Sequence, residues 1–183
     1  MVPVEEILKS EDQKKIKVKM RLKLDEVKLL GQCIVNSFTI DDVSKEKGRR
    51  FFRYGDLERD ILDELWKKMQ RSYSRSRKMK IKRVLEGKSV EMNRFGFTFT
   101  YPEIIVLARL MCLMREVDER FKDALGWSEE ERKTAENLWS RFLLAQRRSV
   151  AAKKGYLKRF GIEVDWETPP DYREPKWHRR KPS

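Results

Sequence analysis

Between Ile16 and Leu24 the chain alternates without a break, setting Ile16, Val18, Met20, Leu22 and Leu24 against Lys17, Lys19, Arg21 and Lys23. A period of two predicts a strand with one face in the core and four cations on the other. From Asp25 the period lengthens. Val27, Leu30, Ile34 and Phe38 share a face, which predicts a helix to about Ser37. The charged stretch 39–55, with Gly48 and Gly55, reads as a loop. Leu57, Ile61, Leu65, Met69 and Tyr73 then recur every four residues, widened by Leu62 and Trp66, so a second helix is expected behind a cap at Asp56. Its first turns are acidic and its end basic, the order a helix dipole favours.

A strand pair is expected at Met79–Leu85 and Arg94–Tyr101, the latter alternating aromatics in Phe95-Gly-Phe-Thr-Phe-Thr-Tyr101. Pro102 suits a first helical turn, and Ile104–Leu125 predicts a helix about 33 Å long that stops at Gly126. Ser128 and Glu131 have the spacing of a capping box. They open a last helix that runs to about Lys154, with Leu138, Trp139, Phe142, Leu143, Ala145 and Val150 on its apolar face. No internal repeat is evident. The expected fold is mainly α, a bundle-like domain over 16–165 with minor β strands. A polar lead-in (1–15) precedes it, and an extended basic tail (166–183) follows, where Pro169, Pro170, Pro175 and Pro182 forbid regular structure.

Of 183 residues 39% are hydrophobic, enough for a core, but 43 Lys and Arg face 30 Asp and Glu, a net charge of +13. That excess points to polyanionic partners. Cys33 and Cys112 are too few for a disulfide scaffold or a cysteine-built zinc finger, and the lone His178 leaves little room for histidine catalysis. Cys33 and Cys112 lie on apolar faces and read as inert core residues, and Trp66, Trp127 and Trp139 as core packing. Neither a cofactor nor a metal site is expected. The N-terminus lacks a signal-peptide pattern, and the most apolar run, Ile104–Met114, contains Arg109 and falls short of the roughly 20 residues of a membrane span. A cytoplasmic or virion location is expected. Abundant Lys and Glu beside only seven Asn and Gln fit a thermophile.

The cations are grouped rather than mixed. Residues 14–23 hold six and no acid, residues 71–94 nine against two, and residues 141–160 seven and no acid. Acidic side chains gather instead at 56–64 and 116–131. Segregation by block favours a polyanion-binding face over a solvated surface. The candidate contacts are Lys17, Lys19, Arg21 and Lys23 on the strand and Arg49 and Arg50 in the loop. Arg71, Arg75, Arg77, Lys78, Lys80, Lys82 and Arg83 follow, interleaved with serines that also donate to phosphate. On the last helix Arg141, Arg148 and Arg159 form one line and Arg147, Lys154 and Lys158 another, if the helix continues past Gly155. Arg179 and Arg180 lie in the tail beside Trp166, Tyr172 and Trp177, aromatics suited to anchoring a neighbouring subunit.

These features lead to an expectation of a non-enzymatic, largely sequence-independent nucleic-acid-binding protein, double-stranded DNA being favoured over RNA. Its concrete form is a packaging or coat protein that assembles as a homo- or hetero-oligomer. A DNA-binding regulator or replication accessory factor is one alternative, and an RNA- or ribosome-associated protein another. A third is a metal-dependent nuclease, because Glu86-Gly87-Lys88 has the Glu-x-Lys order in which a carboxylate holds a metal and a lysine orients water. Its missing acidic partner would have to be Asp60 or Asp63, both on an expected helix.

Overall fold

The computed structural model describes residues 4–121 and 124–159, with side chains through Ser149. The elements are α1 (Val4–Lys9), α2 (Glu11–Lys14), β1 (Lys17–Lys23), α3 (Leu24–Glu46), α4 (Gly55–Leu85), β2 (Arg94–Thr100), α5 (Tyr101–Arg120) and α6 (Glu129–Arg159). The chain is mostly helical, as its periodicity predicts, and the two strands form one antiparallel ribbon in which Met20 faces Phe97 at the centre. Alternation decides which side of that ribbon is dry. Leu22, Phe95, Phe97 and Phe99 are buried, while Lys17, Lys19, Arg21 and Lys23 stand in solvent. Helices cover the apolar side, and among the described residues no element packs on the other.

Each strand runs straight into a helix, and the same device marks both junctions. Glu26, third residue of α3, accepts a hydrogen bond from the Lys23 amide at 2.7 Å. Glu103, third residue of α5, accepts from the Thr100 amide at 2.6 Å and donates its own amide to Thr100 Oγ1. These carboxylates close the exposed first turns of their helices. Each also reaches across the fold. Glu26 pairs with Arg141 of α6 at 2.6 Å, and Glu103 with Lys68 of α4 at 2.7 Å. A second matched set follows: buried Asp41 of α3 pairs with Arg59 at the start of α4, and buried Asp118 of α5 with Arg132 at the start of α6.

The correspondence is systematic. Both strands have seven residues, and α4 and α6 have thirty-one each. The same interval of 77 positions separates Lys17 from Arg94, Glu26 from Glu103 and Asp41 from Asp118. On the second helices Leu65-Trp66-Lys67-Lys68-Met69 matches Leu138-Trp139-Ser140-Arg141-Phe142. The fold is therefore a β-α-α unit used twice, its two strands paired about an approximate two-fold axis. This corrects the expectation of no internal repeat. The repeated residues are few and scattered, and only their shared contacts reveal them.

Several boundaries are corrected as well. The lead-in 1–15 contains α1 and α2, and Val4, Ile7 and Leu8 lie on one face against the core. Stretch 39–55 is mostly helix, because α3 continues to Glu46 with Asp41 fully buried. The cap of α4 is Tyr54, and Asp56 instead pairs with Arg50 at 3.1 Å. Met79–Leu85 is no strand: it forms the last turns of α4, and the partner of β2 is β1. Its basic–apolar alternation resembled β1, but α4 meets no helix breaker before Gly87. α5 ends at Arg120 rather than Leu125, and α6 passes through Gly155 to Arg159. The Ser128–Glu131 capping box is present, with Ser128 Oγ accepting from the Glu131 amide at 3.2 Å.

The core draws on every element but α2, and Cys33, Trp66, Trp127 and Trp139 take part as read from the sequence, whereas Cys112 is only half-buried, its thiol 3.9 Å from Glu116. Cys33 is sealed among apolar side chains, and burial pushes its thiol up to about 12. Trp127 is buried, while Trp66 and Trp139 pack against the core edge. Trp66 also explains why residue 31 is glycine. A Cβ on Gly31 of α3 would lie 2.5 Å from Trp66 Cη2 and 2.8 Å from Cζ3, so the two helices meet where no side chain intervenes. Gly31→Ala is expected to destabilise the fold by about 1–3 kcal/mol despite its better helix propensity, because the indole must shift in a packed site. Urea denaturation checks this, and Trp66→Phe in the same chain should recover part of the loss.

Candidate nucleic-acid interface

The bare side of the ribbon is built by pairing register. Opposite Lys17 stands Thr100, opposite Lys19 Thr98, opposite Arg21 Gly96, and opposite Lys23 Arg94. Residues directly across an antiparallel pair point to the same side, so these eight form one patch. The two strands lie about 4.8 Å apart, and successive outward positions about 6.6 Å apart. Five cations, two threonines and a glycine occupy the patch, and none of the eight is a carboxylate. The sequence reading found the four β1 cations but missed Arg94, Thr98 and Thr100. The polar phase of Phe95-Gly-Phe-Thr-Phe-Thr-Tyr101 carried that signal. An ideal Cβ on Gly96 would meet nothing within 4 Å, so Arg21 has open space across the ribbon.

Other candidates divide according to what they touch. Arg141 is absorbed by the fold: its guanidinium holds the buried Glu26 carboxylate and donates to the Arg21 carbonyl. Lys80 is absorbed too, donating to the Glu91 and Arg94 carbonyls with its ammonium 4.4 Å from the Phe95 ring centroid. Burial of an aliphatic stem and a satisfied head makes both of them braces rather than free cations. Arg50 is held by Asp56, whose carboxyl its hydrogen bonds keep below the ordinary carboxylate range. Arg147 is half-buried and partnered, and Arg71 donates to the Lys67 carbonyl at 3.2 Å. Lys82 approaches Glu86 at 4.0 Å.

Arg75, Arg77, Lys78 and Arg83 are exposed on the last turns of α4, and Arg148 is exposed on α6. None forms an ion pair with another described residue. Arg49 is exposed in the α3–α4 connection, which lies about 20 Å of helix beyond Lys68. Its place is remote from the ribbon. Lys154, Lys158 and Arg159 fall on the α6 backbone, but their side chains lie outside the described set. Arg179, Arg180, Trp166, Tyr172 and Trp177 lie outside the described residues altogether.

Glu86-Gly87-Lys88 has a structural role. Gly87 takes a φ of +75°, the Lys88 amide donates to the Arg83 carbonyl and the Gly87 amide to the Val84 carbonyl. That is the left-handed stop of α4, and glycine is the residue that adopts it without strain. Lys88 Nζ lies 2.9 Å from Glu86, as a local pair. Asp60 and Asp63 sit near the opposite end of the same helix, more than about 30 Å away, so neither shares a metal with Glu86 in one chain. Among the described residues no helix is long and apolar enough to cross a membrane. No family model, curated protein or solved structure matches the chain.

Proposed function

We propose that this chain binds duplex nucleic acid, DNA in preference to RNA, through the outward side of the β1–β2 ribbon. Binding is non-enzymatic and largely independent of sequence. The ribbon patch carries the reading: five exposed cations and two hydroxyls face one way, and among the described residues only Arg94 of the five is paired with a carboxylate, that of Glu91 at 3.1 Å. The major groove of B-form DNA is about 12 Å wide and admits a two-stranded ribbon, whereas that of A-form RNA is deep and narrow. Lysines and arginines neutralise phosphates and displace counterions without reading bases. Arg75, Arg77 and Lys78 add charge on α4 in the turn or two before Lys80, which braces that helix at the Arg94 end of the ribbon. Packaging or coating DNA is the role such contacts suit. A regulator is the second reading, favoured because Arg21 and Thr98 would face base edges in that groove. The Lys- and Glu-rich composition and the interhelix ion pairs fit work at high temperature.

Anisotropy measurements with random-sequence DNA duplexes test the reading. If about six to ten phosphates are contacted, affinity falls roughly 10³- to 10⁵-fold between about 50 and 200 mM salt. A flat salt response, or no binding at the lower salt, overturns it. Strong preference for one duplex sequence would favour the regulator.

A further inference from the structure

The last turn of α4 ends on side chains that the core does not use. Ile81, Val84 and Leu85 fall at i, i+3 and i+4 on one flank, with 43%, 48% and 83% of their surface exposed. Arg77 and Lys78 stand one turn earlier on that flank, and the rigid stop at Gly87 holds Leu85 at the tip. From Arg71 to Leu85 the helix carries seven cations and no acid. The occupant of this tip must therefore be apolar and anionic together. Three residues of one turn are too narrow for a helix lying on a lipid surface, where the apolar face extends along the whole length.

This chain contains a segment of the required chemistry. Ile162, Val164 and Trp166 alternate with Glu163, Asp165 and Glu167, and residues 161–174 hold five acids against Arg173 alone. We propose that residues 161–174 of one copy dock on the α4 tip of a second copy. Ile162, Val164 and Trp166 would cover Ile81, Val84 and Leu85, and the acids would face Arg77 and Lys78. The inference deepens the packaging reading of the proposed function by saying how copies assemble, and it draws Arg77 and Lys78 into the contact between copies while leaving the ribbon patch to DNA.

The fold favours a neighbour over the same chain. α4 runs past the ribbon from Thr100, where Lys68 holds Glu103, to Arg94, where Lys80 is braced. α6 runs the other way. Arg141 sits at Arg21 and Glu26, and Phe142 lies 6.2 Å from Phe99, so the helix heads toward the Lys17 end. The two helix ends thus leave opposite ends of a ribbon about 23 Å long. The α6 backbone extends to Arg159, about 27 Å of helix beyond Arg141. The few residues between Arg159 and Trp166 do not span back to the α4 tip. A tail that engages the next copy, whose tail engages another, makes a heterologous contact that builds an open chain rather than a closed dimer.

Light scattering on nuclease-treated protein across a concentration series, in moderate salt, tests the proposal with full-length variants. The parent should grow in mass with concentration, as open chains do. Ile81→Ser with Leu85→Ser, which keeps every charge, should weaken association by about tenfold or more, as should Ile162→Ser with Trp166→Ser. Mixing the two variants is the decisive arm. One retains a good tail and the other a good tip, so an equimolar mixture should form pairs that do not grow further. A parent that stays monomeric overturns the proposal, as do variants that assemble like the parent, or mixtures that never pair. Tip variants that lose DNA affinity while keeping the parental mass would assign the tip to nucleic acid instead. DNA binding that fails while chains still form would sink the nucleic-acid reading alone.

Discussion

Changing Lys17, Lys19, Arg21 and Lys23 together to Gln should cut affinity for random duplex DNA by roughly three orders of magnitude near 0.1 M salt. Each phosphate neutralised contributes about 0.9 to the slope of log affinity against log salt, so losing four should flatten that slope by about 3.6. Folding should survive, because all four side chains are exposed on the outward side of β1 and their packing role is slight. The control removes the same charge elsewhere: Lys47, Arg49, Arg120 and Lys133 to Gln, all exposed at the ends of helices away from the strands. That variant should change the slope by less than one. Equal losses in the two variants would mean that net charge alone attracts DNA, and the ribbon would lose its special place. Arg141 and Lys80 are unsuitable for such a test, since altering them would disturb the braces between helix and ribbon.

Arg109→Met should be among the most damaging single substitutions. Glu58 of α4 is 1% exposed, and its carboxylate takes Arg109 Nε at 2.8 Å and the Tyr54 amide at 3.3 Å. The guanidinium of Arg109 also stacks 5.0 Å from the Tyr54 ring. Removing the cation strands a carboxylate out of water, and breaking such a pair costs about 3–5 kcal/mol. Chemical denaturation should read that loss directly. Replacing both partners, Arg109→Met with Glu58→Leu, should recover most of it, because no buried charge is then left behind. A single mutant close to the parent in stability would show that water reaches Glu58 in solution. The same logic applies to Asp118, held by Arg132 of α6, whereas Asp41 keeps Lys45 of its own helix at 3.1 Å beside Arg59.

Much of the fold was legible because period and chemistry agree locally. Ile16–Leu24 reads as a strand from alternation alone, and Leu57–Tyr73 as a helix from spacing alone. Ser128 and Glu131 mark a helix start by capping chemistry that acts within one turn. Errors arose where two periods fit the same residues. Met79-Lys-Ile81 alternates like a strand, yet it continues a helix whose breaker comes only at Gly87. For the candidate interface, the phase of β1 separated cations from core without help. The opposing half, Arg94, Thr98 and Thr100, needed the pairing register, which joins residues far apart in the chain.

The mostly helical class, the surplus of positive charge and the basic side of β1 can be read without a structure, because they depend on composition and on neighbours a few residues away. The pairing of β1 with β2, the double use of a β-α-α unit and the set of cations left available emerge only in the folded chain. Arg141 and Lys80 look like any other basic residue in the sequence. One holds a buried carboxylate from α3, and the other caps carbonyls beside Phe95. A charge becomes structural or available according to whether a distant partner meets it, and only the folded chain brings that partner within reach.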